Sequence, residues 1–499
     1  MMTFDVASLL ADSRALVPEL FLCLFAFIIL AVSAVLPAES RRAVAWLSLF
    51  GTLLIIPTVV RYANQLGGAA AAPVFFGDVA VDALAFFFKL LVLVAAALTI
   101  LISVRYLDIE RMQAGEYYVL IMIATAAMMF MAGAASLLMI YISLETMALA
   151  IYILVGFFKE NRKSNEAAIK YFVLGAFSSA IFLYGASLVY GATGSIQLSE
   201  IATRAVPGAP GIELTVLGMT LILVAIGFKV AAVPFHMYIP DAYEGAPTAV
   251  TAFISTASKA AAFVVMLRIL LSGFPALFDY WAPLVALLAA ASMTLGNVTA
   301  LLQDNMKRML AYSSIAHAGY TLMGVLVAGL PGETGRFGLR SVAIYLFIYT
   351  FMNIGAFAMV IMLRRESMVG DLVVDFSGLH KRSPLAALVM LLFLLSLAGI
   401  PPLAGFMGKW YLFGAAVQGQ YFWLAILAVI NSAVSAYYYL RVVVNMYIRE
   451  PLTDEPYSTS PGLLTALAIM ALATVALGIW PERFLKLAGF AHSMLLAGG

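Results

Sequence analysis

Long apolar runs, separated by short polar stretches, recur along the whole chain. Each run has about 20 residues, which is enough for an α-helix to cross the ~30 Å hydrocarbon layer of a bilayer. The runs predict fourteen membrane-spanning helices, at residues 17–36, 43–62, 82–104, 116–133, 136–158, 167–190, 213–239, 246–272, 281–303, 308–330, 340–363, 385–416, 421–447 and 462–480. The pattern therefore predicts an all-α integral membrane protein.

Prolines interrupt two of the predicted spans. Pro234 follows Lys229 in the seventh span, AIGFKVAAVPFH, and Pro401 and Pro402 precede Lys409 in the twelfth, LAGIPPLAGFMGKWYLF. A proline inside a helix removes one backbone hydrogen bond and clashes with the carbonyl four residues earlier. Backbone groups freed in this way are tolerated at membrane depth only where protein or a water-filled cavity satisfies them. We therefore expect two discontinuous helices, each with a wet gap beside a lysine.

The interrupted spans divide the chain into similar halves. Spans four to eight and spans nine to thirteen form two groups of five, and because five is odd, the second group must be inverted relative to the first. Interrupted segments at matching places in two inverted halves indicate a transport pathway. The predicted units are three helices at 1–114, a first repeat at 115–272, an inverted repeat at 281–447, and a last helix with a short tail at 448–499.

The composition supports a membrane protein and excludes most redox and nucleotide chemistry on this chain. The sequence is 64% hydrophobic and 11% charged, with a mean hydropathy of +1.02, whereas soluble proteins are about 45–50% apolar and about 25% charged. The net charge of +2 gives no indication of nucleic-acid binding. Cys23 is the only cysteine, which excludes an internal disulfide and a multi-thiolate metal site. We find no GxGxxG turn, Walker loop or His/Cys cluster and expect no bound cofactor and no metal.

Basic residues are unevenly distributed between the two sides of the predicted bundle. Eight lie on the side of the N-terminus and sixteen on the other side, and the remaining four of the 28 lie within spans. Because cytoplasmic loops are enriched in lysine and arginine, both termini are predicted on the non-cytoplasmic side.

The four lysines within spans are the main candidates for chemistry. Lys89 lies near one end of its span, so its ammonium can reach the interface, and we expect a structural role. Lys229, Lys259 and Lys409 are deeper, where each costs about 2.5–3.5 kcal/mol if it faces lipid, so they are expected to face the bundle interior. Lys229 and Lys259 lie at nearly the same depth on consecutive spans, which favours sharing fewer than two protons and a role as proton carriers. The alternative is a pair of buried structural lysines.

Three further ionisable groups lie in or beside the spans. Glu145, near the middle of the fifth span, is the only acid well inside a span, and Lys229 is its expected counter-ion. His317, near the middle of the tenth span, is a candidate intermediate in a proton relay, although a single histidine in an apolar helix is often a hydrogen-bonded core residue. His236 lies beside the break in the seventh span and is a secondary candidate.

Several long motifs resemble those of one family. They are SLETMALAIYIL around Glu145, STASKAAAF around Lys259, the segments PFHMYIPDAYEGAPT, QDNMKRMLAYSSIAHAGY and, around Lys409, GIPPLAGFMGKWYLF. In this order they resemble the antiporter-like subunits of respiratory complex I, the proton-pumping NADH:quinone oxidoreductase. The chain looks most like the N-type subunits, called subunit 2 in mitochondria, because Lys409 stands where M-type subunits usually carry glutamate. The short tail also differs from L-type subunits, which have a long lateral helix.

The resemblance implies a mechanism. Glu145 and Lys229 would form an ion pair whose opening and closing controls the lysine's hold on its proton. Lys259 would receive the proton, and His317 with water molecules would pass it to Lys409. This chain would be a non-redox subunit of a translocase, while NADH, FMN, iron–sulfur clusters and quinone bind partner subunits.

The resemblance also implies partners and a location. The expected neighbours are an M-type subunit and small K- or J-type subunits in a bacterial inner (plasma) membrane. No acid lies opposite Lys409 within the second repeat, and we expect its counter-charge on a neighbouring subunit.

Three other functions remain open at this point. Subunits of Mrp-type multi-subunit Na⁺(cation)/H⁺ antiporters share these motifs, and Na⁺-dependent exchange by the isolated protein would distinguish them. A structural membrane spacer with inert lysines would tolerate Lys229→Ala or Glu145→Ala. A quinone-binding redox subunit is a third alternative, for which the sequence gives no supporting pattern.

Overall fold

The structure of the chain is a computed structural model that describes residues 12–37, 42–66, 73–110, 112, 115–364, 370–452 and 459–481. Within these ranges the chain is nearly all helical, as the apolar pattern predicts. The predicted tail beyond residue 481 lies outside the described residues.

Eighteen α-helices, numbered here in chain order, make up the described part of the chain. They are α1 (Val17–Val35), α2 (Arg42–Leu66), α3 (Ala83–Ile109), α4 (Gly115–Gly133), α5 (Leu137–Val155), α6 (Arg162–Thr193), α7 (Leu198–Arg204), α8 (Ile212–Val230), α9 (Ile239–Gly245), α10 (Thr248–Gly273), α11 (Phe278–Ala300), α12 (Met306–Ala328), α13 (Gly332–Leu363), α14 (Leu379–Arg382), α15 (Pro384–Ala398), α16 (Ala404–Gln418), α17 (Phe422–Ile448) and α18 (Pro461–Ile479). Two π-helical segments, Ile254–Ser258 and Ile269–Gly273, lie within α10.

Thirteen stretches of the described chain are long and apolar enough to cross a membrane as single helices. The twelfth predicted span is instead two short helices, α15 and α16, separated by residues 399–403. If this pair is taken as one broken crossing, the described chain has the fourteen predicted spans. The seventh span is also broken, because α8 ends at Val230 and the chain turns before α9 begins.

Each break begins with a residue in the left-handed conformation. Ala231 has φ +63° directly after α8, and Gly399 has φ +87° directly after α15. The helices therefore end four residues before Pro234 and three before Pro401, so the proline rings lie in the turns and do not clash with a helical carbonyl. The prediction of two discontinuous helices is confirmed.

Protein groups satisfy backbone atoms that the breaks leave free. At the first break, the Val233 amide donates to Ser292 Oγ (2.9 Å), and the Tyr238 hydroxyl donates to the Phe228 carbonyl (3.1 Å). At the second break, the Gly405 amide donates to Ser396 Oγ (3.0 Å). These bonds let irregular backbone lie among the spans without unpaired polar groups.

Helix bounds and connectors differ from the predictions in several places. The polar connectors predicted at 191–212 and 364–384 contain the short helices α7 and α14. Helix α6 begins at Arg162, five residues before the predicted span, because the Asn161 side chain accepts bonds from the amides of Lys163 and Ser164. Hydropathy registers only the apolar part of a helix, so polar turns that extend beyond the hydrocarbon layer were missed.

The core of the bundle is formed by α10, α12 and α13, which are buried along almost their whole length. By contrast, α1 and α6 expose most of their side chains at the surface of the bundle. Because α10 carries Lys259 and α12 carries His317, two of the candidate residues lie on the most enclosed helices.

Candidate functional site

Three lysines and one histidine are enclosed by the bundle. Lys229 is 5% exposed, Lys259 3%, Lys409 4% and His317 3%. All four therefore face protein, as the cost of a charged group in lipid requires.

Lys229 lies in the last turn of α8 and has weak polar contacts. Its Nζ is 3.5 Å from the Tyr152 hydroxyl, and the rings of Tyr152 and Phe228 lie 5.9 Å and 5.8 Å away. An ammonium group has three donors. The described structure gives Lys229 one distant hydroxyl and two aromatic faces, so this amine has spare hydrogen-bonding capacity.

Glu145 is held by a different helix from the one that carries Lys229. Ser179 Oγ, on α6, donates a short hydrogen bond to Glu145 Oε1. Among the described residues, no ion pair within 4.0 Å joins Glu145 to Lys229, so the direct pairing expected from their depth is absent in this conformation. Depth along a helix axis does not fix the lateral distance between two side chains.

Tyr152 shares a helix with Glu145 and contacts Lys229. It is two turns beyond Glu145 on α5, and its hydroxyl fills the space that a side chain on Gly175 of α6 would occupy. Gly175 and Ser179 are one turn apart on α6, and the Ser179 hydroxyl also bonds the Gly175 carbonyl (3.1 Å). The Glu145 carboxylate and the Tyr152 hydroxyl therefore lie along the same face of α6, and the same hydroxyl contacts Lys229.

Lys259 binds across to α12. Its Nζ donates to the Ser314 carbonyl (2.7 Å) and to Ser314 Oγ in a short hydrogen bond. The residue directly follows the π segment Ile254–Ser258 of α10. Such segments are frequent at functional sites because they change the direction of the side chains that follow.

His317 is linked to two tyrosines. Its Nδ1 shares a short hydrogen bond with the Tyr345 hydroxyl of α13, and its Nε2 lies 3.2 Å from the Tyr439 hydroxyl of α17. Tyr439 also shares a hydrogen bond with Ser313 Oγ (2.5 Å), next to the serine that binds Lys259. The imidazole therefore lies in a network of hydroxyl groups, each of which can donate and accept a proton.

Lys409 bridges the second break. Its Nζ donates to the Ala398 carbonyl at the end of α15 (2.8 Å) and to Ser432 Oγ of α17 (2.9 Å), and it lies 5.3 Å from the Tyr320 ring. A Cβ atom on Gly399 would lie 2.8 Å from Lys409 Cδ, so glycine makes room for this side chain.

A polar row thus runs from α10 to α16. Lys259 binds Ser314, and the neighbouring Ser313 binds Tyr439. Tyr439 contacts His317, whose ring lies 5.8 Å from the Tyr320 ring. The Tyr320 ring in turn faces Lys409. The structure brings Lys259, His317 and Lys409 together in this row.

His236 does not join this row. It is half-buried in the first break, and its Nδ1 has no hydrogen-bond partner among the described residues. Pro234, Pro401 and Pro402 are exposed at the surface of the bundle. The prolines shape the breaks and do not contact the row.

The expected snorkelling of Lys89 is wrong. Its side chain is 1% exposed, and Nζ lies 2.6 Å from Oε1 of Glu19, which is fully buried on α1. A buried carboxylate holds this ammonium inside the bundle and away from the interface.

The tyrosines and serines that connect the ionisable residues were not predicted from the sequence. Tyr345 and Tyr349 lie four residues apart on α13, and both rings approach His317. Tyrosines at helical spacing in the middle of an apolar run would have been a usable signal, because a buried hydroxyl needs a polar partner. Among the described residues, no group of three or more His, Cys, Asp or Glu side chains could hold a metal ion.

Comparisons with known proteins show the family of the chain. Residues 134–435 match the family model described as NADH:quinone oxidoreductase/Mrp antiporter, transmembrane. The chain is 44% identical to NADH-quinone oxidoreductase subunit N of Trichlorobacter lovleyi over 492 residues, which is 98% of this chain and 99% of that one.

Two solved structures are also similar. A chain of respiratory complex I from Thermus thermophilus with bound aureothin is 34% identical, with a TM-score of 0.78, covering 94% of this chain and 98% of that chain. A chain of the Mrp complex from Dietzia sp. is 22% identical, with a TM-score of 0.80, covering 97% of this chain and 98% of that chain, and shows the fold alone.

Proposed function

Since the chain belongs to the NADH:quinone oxidoreductase/Mrp antiporter transmembrane family, we propose that it is the proton-translocating membrane subunit N of an NADH-quinone oxidoreductase. The near-complete coverage of relatives with that name supports the assignment. The chain is a multi-pass membrane protein and a non-redox subunit of a translocase.

The observation that carries the mechanism is the polar row from Lys259 to Lys409. Protons move between groups that are within hydrogen-bonding reach or are joined by water. Ser314, Tyr439 and Tyr320 connect the two lysines with His317 between them. A proton loaded on Lys259 passes through the histidine and the hydroxyl groups, with water in the remaining gaps, to Lys409.

Lys229 and Glu145 control the loading of the row. When the spare donors of Lys229 turn toward Glu145, the carboxylate stabilises the charged ammonium. When they turn away, the lysine loses that stabilisation and releases its proton toward Lys259. Tyr152 and Ser179 occupy the space through which the contact forms and breaks.

Redox chemistry takes place on other subunits. NADH, FMN, iron–sulfur clusters and quinone bind there, and quinone reduction drives the charge movement in this chain. The proposed neighbours are an M-type subunit and small K- or J-type subunits, one of which supplies a counter-charge to Lys409.

We assign the chain to a bacterial inner membrane with both termini on the non-cytoplasmic side, as the distribution of lysine and arginine indicates. Residues 115–272 and 281–447 form the two inverted repeats. Their equal span number and the single broken span in each support this division.

The test uses the intact complex purified from its native membrane and reconstituted into vesicles. Glu145→Ala and Lys409→Ala are each measured for NADH oxidation and for proton pumping, with Lys381→Ala, an exposed lysine paired with Glu450, as control. We expect the first two variants to lose both activities together and the control to keep both. Normal NADH oxidation with a normal proton gradient in both variants would refute the mechanism.

The same preparation distinguishes the proposed function from the Mrp-type alternative. That alternative rests on the shared family model and fold. A subunit of NADH-quinone oxidoreductase co-purifies with NADH-oxidising activity. An Mrp-type subunit instead supports Na⁺-dependent proton exchange without that activity.

A further inference from the structure

The three N-terminal helices contain a buried ion pair that the polar row does not use. Lys89 Nζ of α3 lies 2.6 Å from Glu19 Oε1 of α1, and the two side chains are 1% and 0% exposed. Glu19 lies on the buried stripe of α1, with Leu22, Ala26 and Ile29. Both charges are therefore enclosed by apolar helices, far from bulk water in the plane of the bundle.

The surroundings of Glu19 make the charged pair expensive to keep. Its second oxygen, Oε2, is buried and accepts no hydrogen bond from the described residues, so Lys89 is its one charged neighbour within ion-pair distance. A buried pair is favourable only when further hydrogen bonds satisfy the remaining lone pairs, and apolar residues of similar volume usually hold helices together as well or better. Packing alone therefore does not explain the pair.

A second ion pair connects this site to the surface. Asp82, the N-cap of α3, lies seven residues before Lys89, about 10 Å along the same helix face. Arg268 of α10 donates to both Asp82 oxygens (3.0 Å and 2.7 Å), and the Asp82 side chain is 15% exposed. A partly exposed carboxylate thus lies two helical turns from the buried lysine.

The same arginine belongs to the helix that carries Lys259. Arg268 follows Lys259 by nine residues on α10, and its Nε donates to the Ala132 carbonyl of α4 (2.6 Å). Its guanidinium is 3% exposed and fixed by three hydrogen bonds. The ion pair of Asp82 with Arg268 therefore joins α3, which carries Lys89, to α10, a helix of the polar row.

We propose that Glu19 and Lys89 form a second proton-holding site, which exchanges protons with water through Asp82 at the end of the bundle where α3 begins. A proton first moves from Lys89 Nζ to Glu19 Oε1, the oxygen 2.6 Å away, which leaves an amine and a carboxylic acid. The amine then takes one proton from water by way of Asp82, and the site gains one positive charge. Release follows the reverse order. The proposal rests on the proposed function, because proton movement in the complex supplies the charge change that fills and empties the site.

The test is an infrared difference spectrum of the intact complex, recorded before and after NADH addition. We expect a carboxylic acid C=O band in the wild-type spectrum, its complete loss in Glu19→Gln, and no change in Glu333→Gln, a control at an exposed carboxylate paired with Arg336. The double variant Glu19→Leu with Lys89→Met should also lose the band, and because it replaces both charges by apolar groups, it should assemble normally. A spectrum that keeps the wild-type band in the double variant, or in Glu19→Gln, would overturn the proposal.

A proton-pumping measurement in vesicles separates this proposal from the one on which it rests. The double variant should pump fewer protons per NADH than wild type at an unchanged thermal midpoint. An unchanged proton ratio in the double variant, together with a lowered ratio in Lys259→Met, would overturn the second site alone. Unchanged ratios in both variants would overturn the proposed function as well.

Discussion

The two broken spans each bury a lysine, but they hold it in different ways. Lys409 donates to the Ala398 carbonyl and to Ser432, so the lysine itself satisfies backbone at its own break. Lys229 has one hydroxyl at 3.5 Å, and its break is satisfied by Tyr238 and Ser292 instead. One lysine is part of the structure of its break, and the other is independent of it.

This difference shows which lysine stabilises its helix break and which lysine is free to change partners. An ammonium that satisfies a helix end cannot leave without exposing an unpaired carbonyl to the bundle interior. An ammonium with spare donors can change partners at little cost, which suits Lys229 for an ion pair that opens and closes. The comparison indicates that control of proton loading lies at the first break and a fixed acceptor lies at the second.

Helix α9, which follows the first break, is held in place by residues that do not belong to the polar row. Lys307 Nζ donates to the carbonyls of Glu244 and Ala246 at the end of α9 (2.7 Å each). Arg308 bridges Asp241 and Glu244 at 2.9 Å. These contacts fix α9 to α12 and leave Lys229 free of that task.

The largest expected contrast is between Lys409→Met and Lys229→Met. Lys409→Met removes the donor to Ser432 Oγ and leaves Ala398 O with only the long hydrogen bond from Ser432 Oγ (3.4 Å). We therefore expect its free energy of unfolding to be about 1–3 kcal/mol lower than that of Lys229→Met. Denaturant unfolding of the purified chain in detergent measures the difference. Equal free energies of unfolding in the two variants would contradict the structural distinction between the two breaks.

Lys307→Met should destabilise the first break more than any change at Lys229. Two carbonyls lose their donor, and we expect a loss of about 1–2 kcal/mol in the free energy of unfolding. Lys381→Met, which removes an exposed ion pair with Glu450, is the matched control and should cost less than about 0.5 kcal/mol. A loss of the same size in both variants would contradict the assigned role of Lys307.

Removal of single hydroxyl groups sharpens the same comparison. Ser432→Ala removes a partner of Lys409 and should cost about 0.5–1.5 kcal/mol of unfolding free energy. Tyr152→Phe removes the distant partner of Lys229 and should leave stability nearly unchanged while it alters the rate of proton pumping. A stability loss in Tyr152→Phe as large as that in Ser432→Ala would show that Lys229 is held as firmly as Lys409.

The smallest effect concerns pH at α9. Burial alone would raise the pKa of the Glu244 carboxyl, but hydrogen bonds and charge from Lys163 and Arg308 lower it below the ordinary 4.5. Because the pKa of Glu244 is lowered, its ion pairs stabilise the fold at pH values above its ordinary pKa. This contribution is lost as pH falls through the lowered pKa. The thermal midpoint of Lys163→Gln should therefore lie below that of wild type at neutral pH, and the gap should narrow under acid. A gap that stays constant down to low pH would contradict the pairing.

The membrane architecture could be predicted from the sequence because its causes are local. The length of an apolar run sets a span, and Pro234, Pro401 and Pro402 mark places where a long helix cannot continue. The short helices α7 and α14 were missed, since their residues are polar and carry no span signal.

The residues of the candidate site could be predicted from the sequence, but the contacts between them could not. Depth along a span identified Lys229, Lys259 and Lys409 as enclosed residues, because the cost of a charge in lipid is independent of its neighbours. The bond from Lys259 to Ser314, 55 residues away, depends on how α10 packs on α12. For the same reason the contacts of Lys89 with Glu19 and of Lys229 with Tyr152 could not be predicted from the sequence.

The most direct test of the central claim, that the loosely held Lys229 controls proton loading, is the number of protons pumped per NADH oxidised by the intact complex in sealed vesicles. Lys229→Met is compared with Lys381→Met, an exposed lysine outside the row. We predict that Lys229→Met assembles with wild-type thermal stability but no longer supports NADH-driven pumping, whereas Lys381→Met matches wild type. A wild-type proton ratio and oxidation rate in Lys229→Met would contradict the account.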